Sequence, residues 1–314
     1  MDQSIGASAP RGGALRALIS ALRIHQWSKN ALVLVPVVLA PGIPHLDLLL
    51  RAVLAALCMS LCASAGYVLN DLLDLEADRA HPTKRQRPFA SGALPVQFGP
   101  ALLAMLLAAS FALASWQLST RFCLMLALYL VATVSYSLYF KRRLLLDVLV
   151  LAGLYTHRIL AGGVATHVPV SAWLLAFSMF LFLSLSFAKR YVEIAQQTAD
   201  GKIKNRDYYR ADAQVVGSLG AASGYLSALV FSLYLENVGH LDVYREPRLL
   251  WAAVPILIYW VSRIWILAGR GQMNDDPVKF ALRDSVSIAC GLAIAAAAAL
   301  ARFTPVWLLS LLDG

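Results

Sequence analysis

The sequence predicts an all-α, polytopic membrane protein, built as a nine-helix transmembrane bundle. Of its 314 residues, 59% are hydrophobic and only 14% are charged, and the mean hydropathy is +0.65. Soluble proteins carry charge on about a quarter of their residues. The apolar residues also form repeated runs of about 20, the length that an α-helix needs to cross a bilayer. Composition and pattern therefore both argue against a soluble globular protein.

Short polar segments separate the nine predicted spans. The first is interrupted by Pro36, Pro41 and Pro44, which membrane helices tolerate when neighbouring groups satisfy the freed carbonyls. The spans lie near 30–45, 48–70, 97–115, 121–140, 144–163, 171–188, 214–235, 249–269 and 284–301.

Domain organisation follows from the lengths of the polar segments. Residues 1–23 lack an apolar core that ends in a signal-peptide cleavage site, so we expect residues 1–29 to form a cytoplasmic N-terminal tail. Residues 30–314 are expected to form a single transmembrane helical domain. The longest polar segments, at about 71–96 and 189–213, are too short to bury a core of their own, and we expect them to be cytoplasmic catalytic loops.

The distribution of basic residues predicts the orientation. If successive segments alternate between two sides, 21 of the 27 Lys and Arg residues fall on one side and 5 on the other, with Arg158 inside the fifth span. Basic residues are retained in the cytoplasm. We therefore expect an integral protein of the cell (inner) membrane, with its N-terminus and active site in the cytoplasm and its C-terminus outside. The net charge of +9 then reflects topology and does not indicate a nucleic-acid partner.

The strongest chemical signal is the sequence N-D-x-x-D-x-x-x-D, which begins at Asn70. Helical periodicity places Asp71, Asp74 and Asp78 on one face, whereas Glu76 points away. Like charges so close repel one another, and a divalent cation removes that repulsion; Mg²⁺ takes oxygen ligands and completes its shell with water and phosphates. The spacing predicts a Mg²⁺–diphosphate site. The alternative is a solvated acidic helix end balanced by nearby basic residues.

Basic residues follow this motif directly. Lys84, Arg85 and Arg87 lie in a segment rich in turn-forming residues. Beside a carboxylate cluster, they would donate hydrogen bonds to the phosphate oxygens of a substrate. Ordinary anchoring by positive charges on the cytoplasmic side is the alternative.

A second polar cluster continues the sixth span. Glu193 is one helical turn from both Lys189 and Arg190, so this cluster is either part of a site or an interfacial ion pair. Within the membrane, Asp147 and Arg158 share a face of the fifth span, about 16 Å apart. Charges inside a membrane are costly and usually face a cavity, and we expect Arg158 to line the site.

These motifs resemble those of the UbiA superfamily of intramembrane prenyltransferases. The acidic motif, followed by R-x-R-P-x-x-x-G from Arg85 to Gly92, is similar to the first aspartate-rich motif of that superfamily. The segments 136–142, 158–163 and 281–284 are similar to its other recurring segments. The resemblance covers most of the chain and implies a bundle of nine helices.

The chain departs from the prenyltransferase pattern after the sixth helix. A second motif of the form D-x-x-x-D is expected there, but the sequence reads K-R-Y-x-E from Lys189 to Glu193. In this respect, and in residues 26–30, 81–85 and 161–166, it resembles the branch that includes decaprenyl-phosphate phosphoribosyltransferase. That resemblance implies Mg²⁺-dependent transfer of 5-phosphoribosyl from phosphoribosyl diphosphate to a polyprenyl phosphate lipid, with release of pyrophosphate.

Charge arguments favour the same donor. One carboxylate cluster suffices for one Mg²⁺–diphosphate group, while cations in place of a second cluster suit additional phosphates. The acceptor needs little activation, because a phosphate monoester is largely dianionic at neutral pH. The candidate site comprises the catalytic residues Asp71, Asp74, Asp78, Lys189, Arg190 and Glu193 and the substrate-binding residues Lys29, Asn70, Lys84, Arg85, Arg87, Tyr136, Lys141, Arg158 and Tyr191.

Two other functions stay open at this point. One is prenyl transfer from a polyprenyl diphosphate to an aromatic or other acceptor, with Glu193 and Asp200 or Asp207 replacing the missing motif. The other is a transporter or scaffold without enzymatic activity, which would leave the three carboxylates without a purpose. A homo-oligomer is compatible with each of these three functions.

Overall fold

The computed structural model describes residues 11–40, 45–197, 201, 203, 206–238, 244–273 and 276–303. Most of these residues are helical and none of them forms a β-strand, which confirms the predicted all-α class. The α-helices are α1 (Arg11–Leu22), α2 (Val35–Leu39), α3 (Leu46–Leu73), α4 (Leu75–Arg79), α5 (Phe98–Gln117), α6 (Thr120–Leu138), α7 (Leu146–Thr166), α8 (Ala172–Ala195), α9 (Ala213–Val238), α10 (Ala253–Gly269), α11 (Pro277–Ala281) and α12 (Ser285–Phe303). The 3₁₀ segments are Ile24–Leu34, Lys84–Gln86, Phe140–Arg142, Arg210–Asp212 and Pro247–Ala252.

Eight helices in the described part of the chain are long and apolar enough to cross a membrane. They are α3, α5, α6, α7, α8, α9, α10 and α12, with α6, α9 and α10 extended by the adjoining 3₁₀ turns. Each corresponds to one of the predicted spans from the second to the ninth. The long apolar runs therefore predicted these helices correctly.

The predicted first span, 30–45, has a different structure. A 3₁₀ helix of 11 residues, Ile24–Leu34, leads into the 5-residue helix α2, and residues 41–44 lie outside the described part. At about 2.0 Å per residue for 3₁₀ and about 1.5 Å for α-helix, the two extend about 30 Å, the thickness of the hydrocarbon core. The segment is long enough to cross, although it is not a regular α-helix.

Side-chain spacing explains the 3₁₀ conformation. A 3₁₀ helix has three residues per turn, so Trp27, Asn30 and Val33 lie on one face. The Trp27 indole donates to Ser64 Oγ at 3.1 Å, and the Asn30 amide donates to Ser60 Oγ at 2.9 Å. Because residue numbers rise along one segment as they fall along the other, the 3₁₀ helix runs antiparallel to α3.

The chain divides into two compact units. Unit 1 contains the described residues of Met1–Val38, His45–Ser137 and Ala161–Val168. Unit 2 contains those of Leu39–Pro44, Leu138–Leu160 and Pro169–Gly314. Each unit carries one of the polar clusters that the sequence indicates.

In unit 1, α3 packs against α1, α5 and the long 3₁₀ helix. Phe89, from the loop after α4, is fully buried in the core that these elements form. Gly162 of α7 approaches the 3₁₀ helix so closely that a Cβ at this position would lie 2.0 Å from the Val33 carbonyl oxygen. Glycine is therefore required here by the packing of two backbones.

In unit 2, α8 packs against α9 and α10, and α10 packs against α9 and α12. Arg263 of α10 donates two hydrogen bonds to Asp284, at 2.6 and 3.1 Å. Asp284 Oδ2 also accepts from the backbone N–H and the hydroxyl of Ser287, each at 2.8 Å, and so caps the first turn of α12. This pair fixes the start of the last helix against α10.

Candidate active site

The acidic motif lies where α3 gives way to α4. Asp74 is the single residue between the two helices, with φ −95° and ψ 11°. The Asp78 N–H still bonds to the Asp74 carbonyl at 2.8 Å, so one helical turn continues across the break. Asp71 and Asp78 are each only 3% exposed, while Glu76 is exposed. Asp71 and Asp78 are thus buried while Glu76 is exposed, as expected if Glu76 points away from them.

Two arginines contact the buried carboxylates. Nη1 of Arg87 lies 3.1 Å from Asp71 Oδ1 and 2.5 Å from Asp78 Oδ2, so one nitrogen joins both side chains. Nη2 of Arg23 contacts the same Asp71 oxygen at 2.5 Å. Two negative and two positive charges are thereby paired in a region where unpaired charge would be costly. These contacts fit the alternative of an acidic helix end that is balanced by basic neighbours. They also bring one oxygen of Asp71 and one of Asp78 to the same nitrogen.

Arg87 owes its position to the residues that follow it. Pro88 and Phe89 are buried, and Gly92 has a φ of +78°, a conformation in which glycine meets no Cβ penalty. The R-x-R-P-x-x-x-G pattern thus anchors a turn that directs Arg87 to the carboxylates. Lys84 and Arg85, in the 3₁₀ turn just before it, are exposed.

Arg23 is a site residue that the sequence reasoning missed. It has a φ of 51°, which is uncommon for a residue with a Cβ, and its guanidinium lies 4.9 Å from the centre of the Tyr67 ring. The pairing with Asp71 spans 48 residues, so no local spacing indicates it. The only indication in the sequence is that Arg23 lies just before residues 26–30, which resemble the phosphoribosyltransferase branch.

The chemistry of this donor set fits a Mg²⁺ ion, because carboxylate oxygens are its preferred protein ligands. Asp71 and Asp78 would hold such an ion at the place where both now contact Arg87. Within the described ranges, however, no three His, Cys, Asp or Glu side chains lie close enough to form a metal site together. Asp74, the third predicted ligand, is half-buried, and its role remains a prediction.

In unit 2, the cluster after the sixth predicted span is a buried ion-pair network. Arg190 is fully buried, and its Nη2 lies 2.6 Å from Asp147 Oδ2, also fully buried. Its Nη1 pairs with Glu193, as the one-turn spacing predicted. The Tyr208 hydroxyl donates to Asp147 Oδ1 at 2.8 Å and accepts from the Leu145 N–H at 3.1 Å. Burial, with the charge of Asp147, raises the pKa of Tyr208 well above its usual range, so the phenol stays protonated.

This network corrects the expectation that Arg190 donates directly to substrate phosphates. A guanidinium with no exposed surface, held by two carboxylates, is a structural element that ties the loop of Tyr208 to α7 and α8. Arg158, which the sequence places on the same helix face as Asp147, stays a predicted site residue. Arg158 is 6% exposed and donates to the Leu154 carbonyl at 2.5 Å, within its own helix.

The remaining predicted residues are divided between the two units. Lys29, Asn70 and Tyr136 are half-buried in unit 1, and Lys141 and Lys189 are half-buried in unit 2. Tyr191 packs edge-on against Trp265, with ring centres 6.0 Å apart, and its role in binding substrate stays a prediction. Of the acidic residues expected to replace the second motif, Asp200 lies outside the described residues.

Residues 31–286 match the model of the UbiA prenyltransferase family. The chain belongs to the UbiA prenyltransferase family. Its family membership and the eight long apolar helices in the described part of the chain make it an integral membrane protein, and the resemblance first suggested by the acidic motif is confirmed. The family supports an enzyme rather than a transporter or scaffold.

Curated relatives cover most of the chain. An uncharacterised protein, y4nM, from Sinorhizobium fredii is 39% identical over 284 residues, 89% of this chain, but this chain spans only 54% of that protein's length. The nodulation protein NoeC of Azorhizobium caulinodans is 35% identical over 88% of this chain and 90% of its own. A decaprenyl-phosphate phosphoribosyltransferase of Mycobacterium tuberculosis is 32% identical over 88% of this chain and 91% of its own.

Solved structures support the fold. A UbiA homologue from Archaeoglobus fulgidus, bound to DMAPP and Mg²⁺, superposes with a TM-score of 0.64 over 88% of this chain and 98% of its own, at 15% identity. At that identity the likeness establishes the UbiA fold and leaves the substrate open.

Proposed function

We propose that this UbiA family member transfers a 5-phosphoribosyl group from phosphoribosyl diphosphate to a polyprenyl phosphate and releases pyrophosphate. The reaction would depend on Mg²⁺ and take place at the cytoplasmic face of the cell membrane, where a soluble sugar donor meets a lipid acceptor. A full-length relative named for this reaction, at 32% identity, supports the proposal.

The observation that carries the proposal is the different burial of the arginine that joins the acids in each cluster: the Arg87 side chain is 24% exposed, whereas that of Arg190 is not exposed. In unit 1, Asp71 and Asp78 both contact Nη1 of Arg87, and a metal cation would take the place of this nitrogen. In unit 2, Asp147 and Glu193 are both paired with Arg190, and Arg206 lies 3.9 Å from Glu193. Acids held by a fully buried arginine, which cannot leave for solvent, are poor ligands for another cation. The chain would then bind cations at one cluster, whereas the prenyltransferases that it resembles carry two aspartate-rich motifs.

The residues of unit 1 would then bind the diphosphate. Asp71, Asp74 and Asp78 are proposed to hold Mg²⁺, which would neutralise charge on the departing pyrophosphate. Lys84 and Arg85, which are exposed, would donate to the phosphate oxygens. A phosphate oxygen of the acceptor forms the new bond to the ribose C1 as the bond from C1 to the pyrophosphate oxygen breaks. The acceptor is already ionised, so the residues' main tasks are orientation and charge stabilisation.

Prenyl transfer is the second candidate. The family is described as one of prenyltransferases, and the related Archaeoglobus structure holds a prenyl diphosphate with Mg²⁺. Both reactions use a Mg²⁺-bound diphosphate as the leaving group. The two reactions differ in the group transferred and in the acceptor, so they are distinguished by which substrates the protein uses.

Two parallel assays on the purified, detergent-solubilised protein test the proposal. One supplies labelled phosphoribosyl diphosphate with polyprenyl phosphate, and the other supplies polyprenyl diphosphate with aromatic acids. We expect labelled lipid and pyrophosphate in the first assay, and none from Asp71→Asn. Product in the second assay alone would replace the phosphoribosyl assignment by prenyl transfer.

A further inference from the structure

We propose that Arg87 and Mg²⁺ are alternative partners of Asp71 and Asp78, so that binding of the Mg²⁺–diphosphate releases the Arg87 side chain to the substrate. Arg23, by contrast, is a permanent partner of Asp71. This inference rests on the Mg²⁺ site of the proposed function and assigns different roles to two arginines that contact the same oxygen.

The geometry of Arg87 is that of a bridging cation. A single nitrogen, Nη1, contacts Asp71 Oδ1 and Asp78 Oδ2 at 3.1 and 2.5 Å. An ion bridging the same two oxygens would occupy the place of this nitrogen. Guanidinium and metal therefore compete, both for space and through repulsion between like charges.

Charge balance requires the same exchange. Asp71 and Asp78, each 3% exposed, are neutralised by Arg23 and Arg87. A divalent ion added to this set would leave two uncompensated positive charges among buried groups, which is strongly unfavourable. Release of the Arg87 side chain removes one of these positive charges, and the negative charge of the bound diphosphate balances the other.

The surroundings of the two arginines indicate which one leaves. Arg23 directly precedes the 3₁₀ helix that Trp27 and Asn30 attach to α3, and its guanidinium lies over Tyr67. Arg87 directly follows a segment, 81–86, in which every residue is exposed. The guanidinium of Arg87 can therefore swing toward solvent without disturbing the core, whereas that of Arg23 is held between Asp71 and the Tyr67 ring.

Release of Arg87 would couple metal binding to phosphate recognition. A planar guanidinium freed beside the metal can donate two parallel hydrogen bonds to a phosphate. Arg87 would then act on the diphosphate only after the ion is in place.

Binding of Mn²⁺, a spectroscopic probe for the Mg²⁺ site, tests the exchange without any substrate. Electron paramagnetic resonance of the purified full chain gives the dissociation constant directly. We expect Arg87→Ala to bind Mn²⁺ about tenfold more tightly than the wild type, if the arginine-bound form makes up about nine-tenths of the molecules. Arg79→Ala, which removes an exposed arginine one residue after Asp78, is the matched control and should bind as the wild type does.

A second variant covers the case in which Arg87→Ala does not fold. Arg87→Gln keeps a hydrogen-bond donor without the charge and should also bind Mn²⁺ more tightly, while Arg87→Lys keeps the charge and should resemble the wild type. Unchanged or weaker binding by both neutral variants would overturn the exchange. If Asp71→Asn and Asp78→Asn also leave Mn²⁺ binding unchanged, the metal site of the proposed function fails as well, so the two failures are distinguishable.

Discussion

Arg190 and Asp147 form an ion pair at 2.6 Å in which neither side chain is exposed. The pair joins α8 to α7, and Tyr208 attaches the following loop to the same carboxylate. Removing one member of a buried ion pair leaves the other charged and unpaired, which typically costs 3–5 kcal/mol. The position that first suggested a substrate-binding arginine therefore has a structural role in this chain.

We expect Arg190→Ala and Asp147→Asn each to lower the free energy of unfolding by about 3–5 kcal/mol, measured by denaturation in detergent. Replacing the pair together, with Asp147→Leu and Arg190→Met, should recover much of that loss because no buried charge remains. Arg142→Ala, which removes an exposed arginine of unit 2, is the control and should change little. A fully stable Arg190→Ala variant that fails only to bind substrate would instead support direct phosphate contact.

The sequence predicted the helices well and long-range pairings poorly. Eight runs of about 20 apolar residues correspond to eight long helices, because burying backbone in lipid requires helices. The i to i+3 spacing likewise predicted the contact of Arg190 with Glu193. The partner that buries Arg190, Asp147, lies on another helix, and no spacing rule connects residues 43 positions apart in the sequence.

The first span shows a different limit. Trp27, Asn30 and Val33 recur every third residue, but within an apolar run this pattern is hard to separate from that of an α-helix. The 3₁₀ form is recognisable only once Ser60 and Ser64 of α3 are seen to accept from Asn30 and Trp27. In the acidic motif, Asp71 and Asp78 contact the same nitrogen despite the break at Asp74, because the Asp78 N–H still bonds to the Asp74 carbonyl, while the place of Asp74 in the cluster stays a prediction.

Gly162 provides a test of the packing between α7 and the 3₁₀ helix. An alanine Cβ there would lie 2.0 Å from the Val33 carbonyl oxygen, so the backbones must separate. We expect Gly162→Ala to cost about 1–3 kcal/mol, seen as a lower melting temperature in detergent. Gly153 lies in the same helix with nothing within 4 Å of its Cβ position, so Gly153→Ala should be neutral or stabilise by up to about 1 kcal/mol. Equal melting temperatures for the two variants would contradict the close approach.

Asp284 should make stability depend on acid pH. Hydrogen bonds from Arg263, and then from Ser287, hold the pKa of Asp284 below its usual range. A depressed pKa in the folded state contributes stability that is fully present above the unfolded pKa, about 3.9. That stability is lost as the pH falls through the lower, folded pKa.

We therefore expect thermal stability in detergent to fall below about pH 4, and Asp284→Asn to be less stable at neutral pH but to show a shallower acid decline. Asp47→Asn is the matched control, because Asp47 pairs with Arg51 while 72% exposed. Identical pH profiles for wild type and Asp284→Asn would exclude this contribution.

Orientation can be measured by cysteine labelling of intact cells in a background that lacks the four native cysteines. Arg51→Cys and Arg121→Cys should react from outside, whereas Lys84→Cys and Arg142→Cys should react only after permeabilisation, because basic loops are retained inside. A reporter fused after Gly314 should lie outside if the segment containing the 3₁₀ helix crosses. A cytoplasmic reporter would mean that only the eight long helices span the membrane.

The three aspartates of the acidic motif are expected to be essential for turnover. Asn is close to Asp in size but lacks its charge, so Asp71→Asn, Asp74→Asn and Asp78→Asn test charge with little change in shape. Metal stabilisation of a leaving group is worth several kcal/mol, and each variant should therefore lose about 100-fold or more in pyrophosphate release at limiting Mg²⁺. Glu76→Gln removes an exposed carboxylate from the same stretch and should retain activity.

Magnesium titration separates a metal-binding defect from a folding defect in these variants. A weakened metal site regains part of its rate as Mg²⁺ rises, because occupancy follows mass action, whereas a misfolded protein does not recover. We expect partial recovery to be clearest for Asp74→Asn, since Asp74 is half-buried, while Asp71 and Asp78 are buried against arginine. Normal turnover in all three variants at limiting Mg²⁺ would show instead that the motif is a neutralised helix end, with Arg23 and Arg87 as purely structural partners.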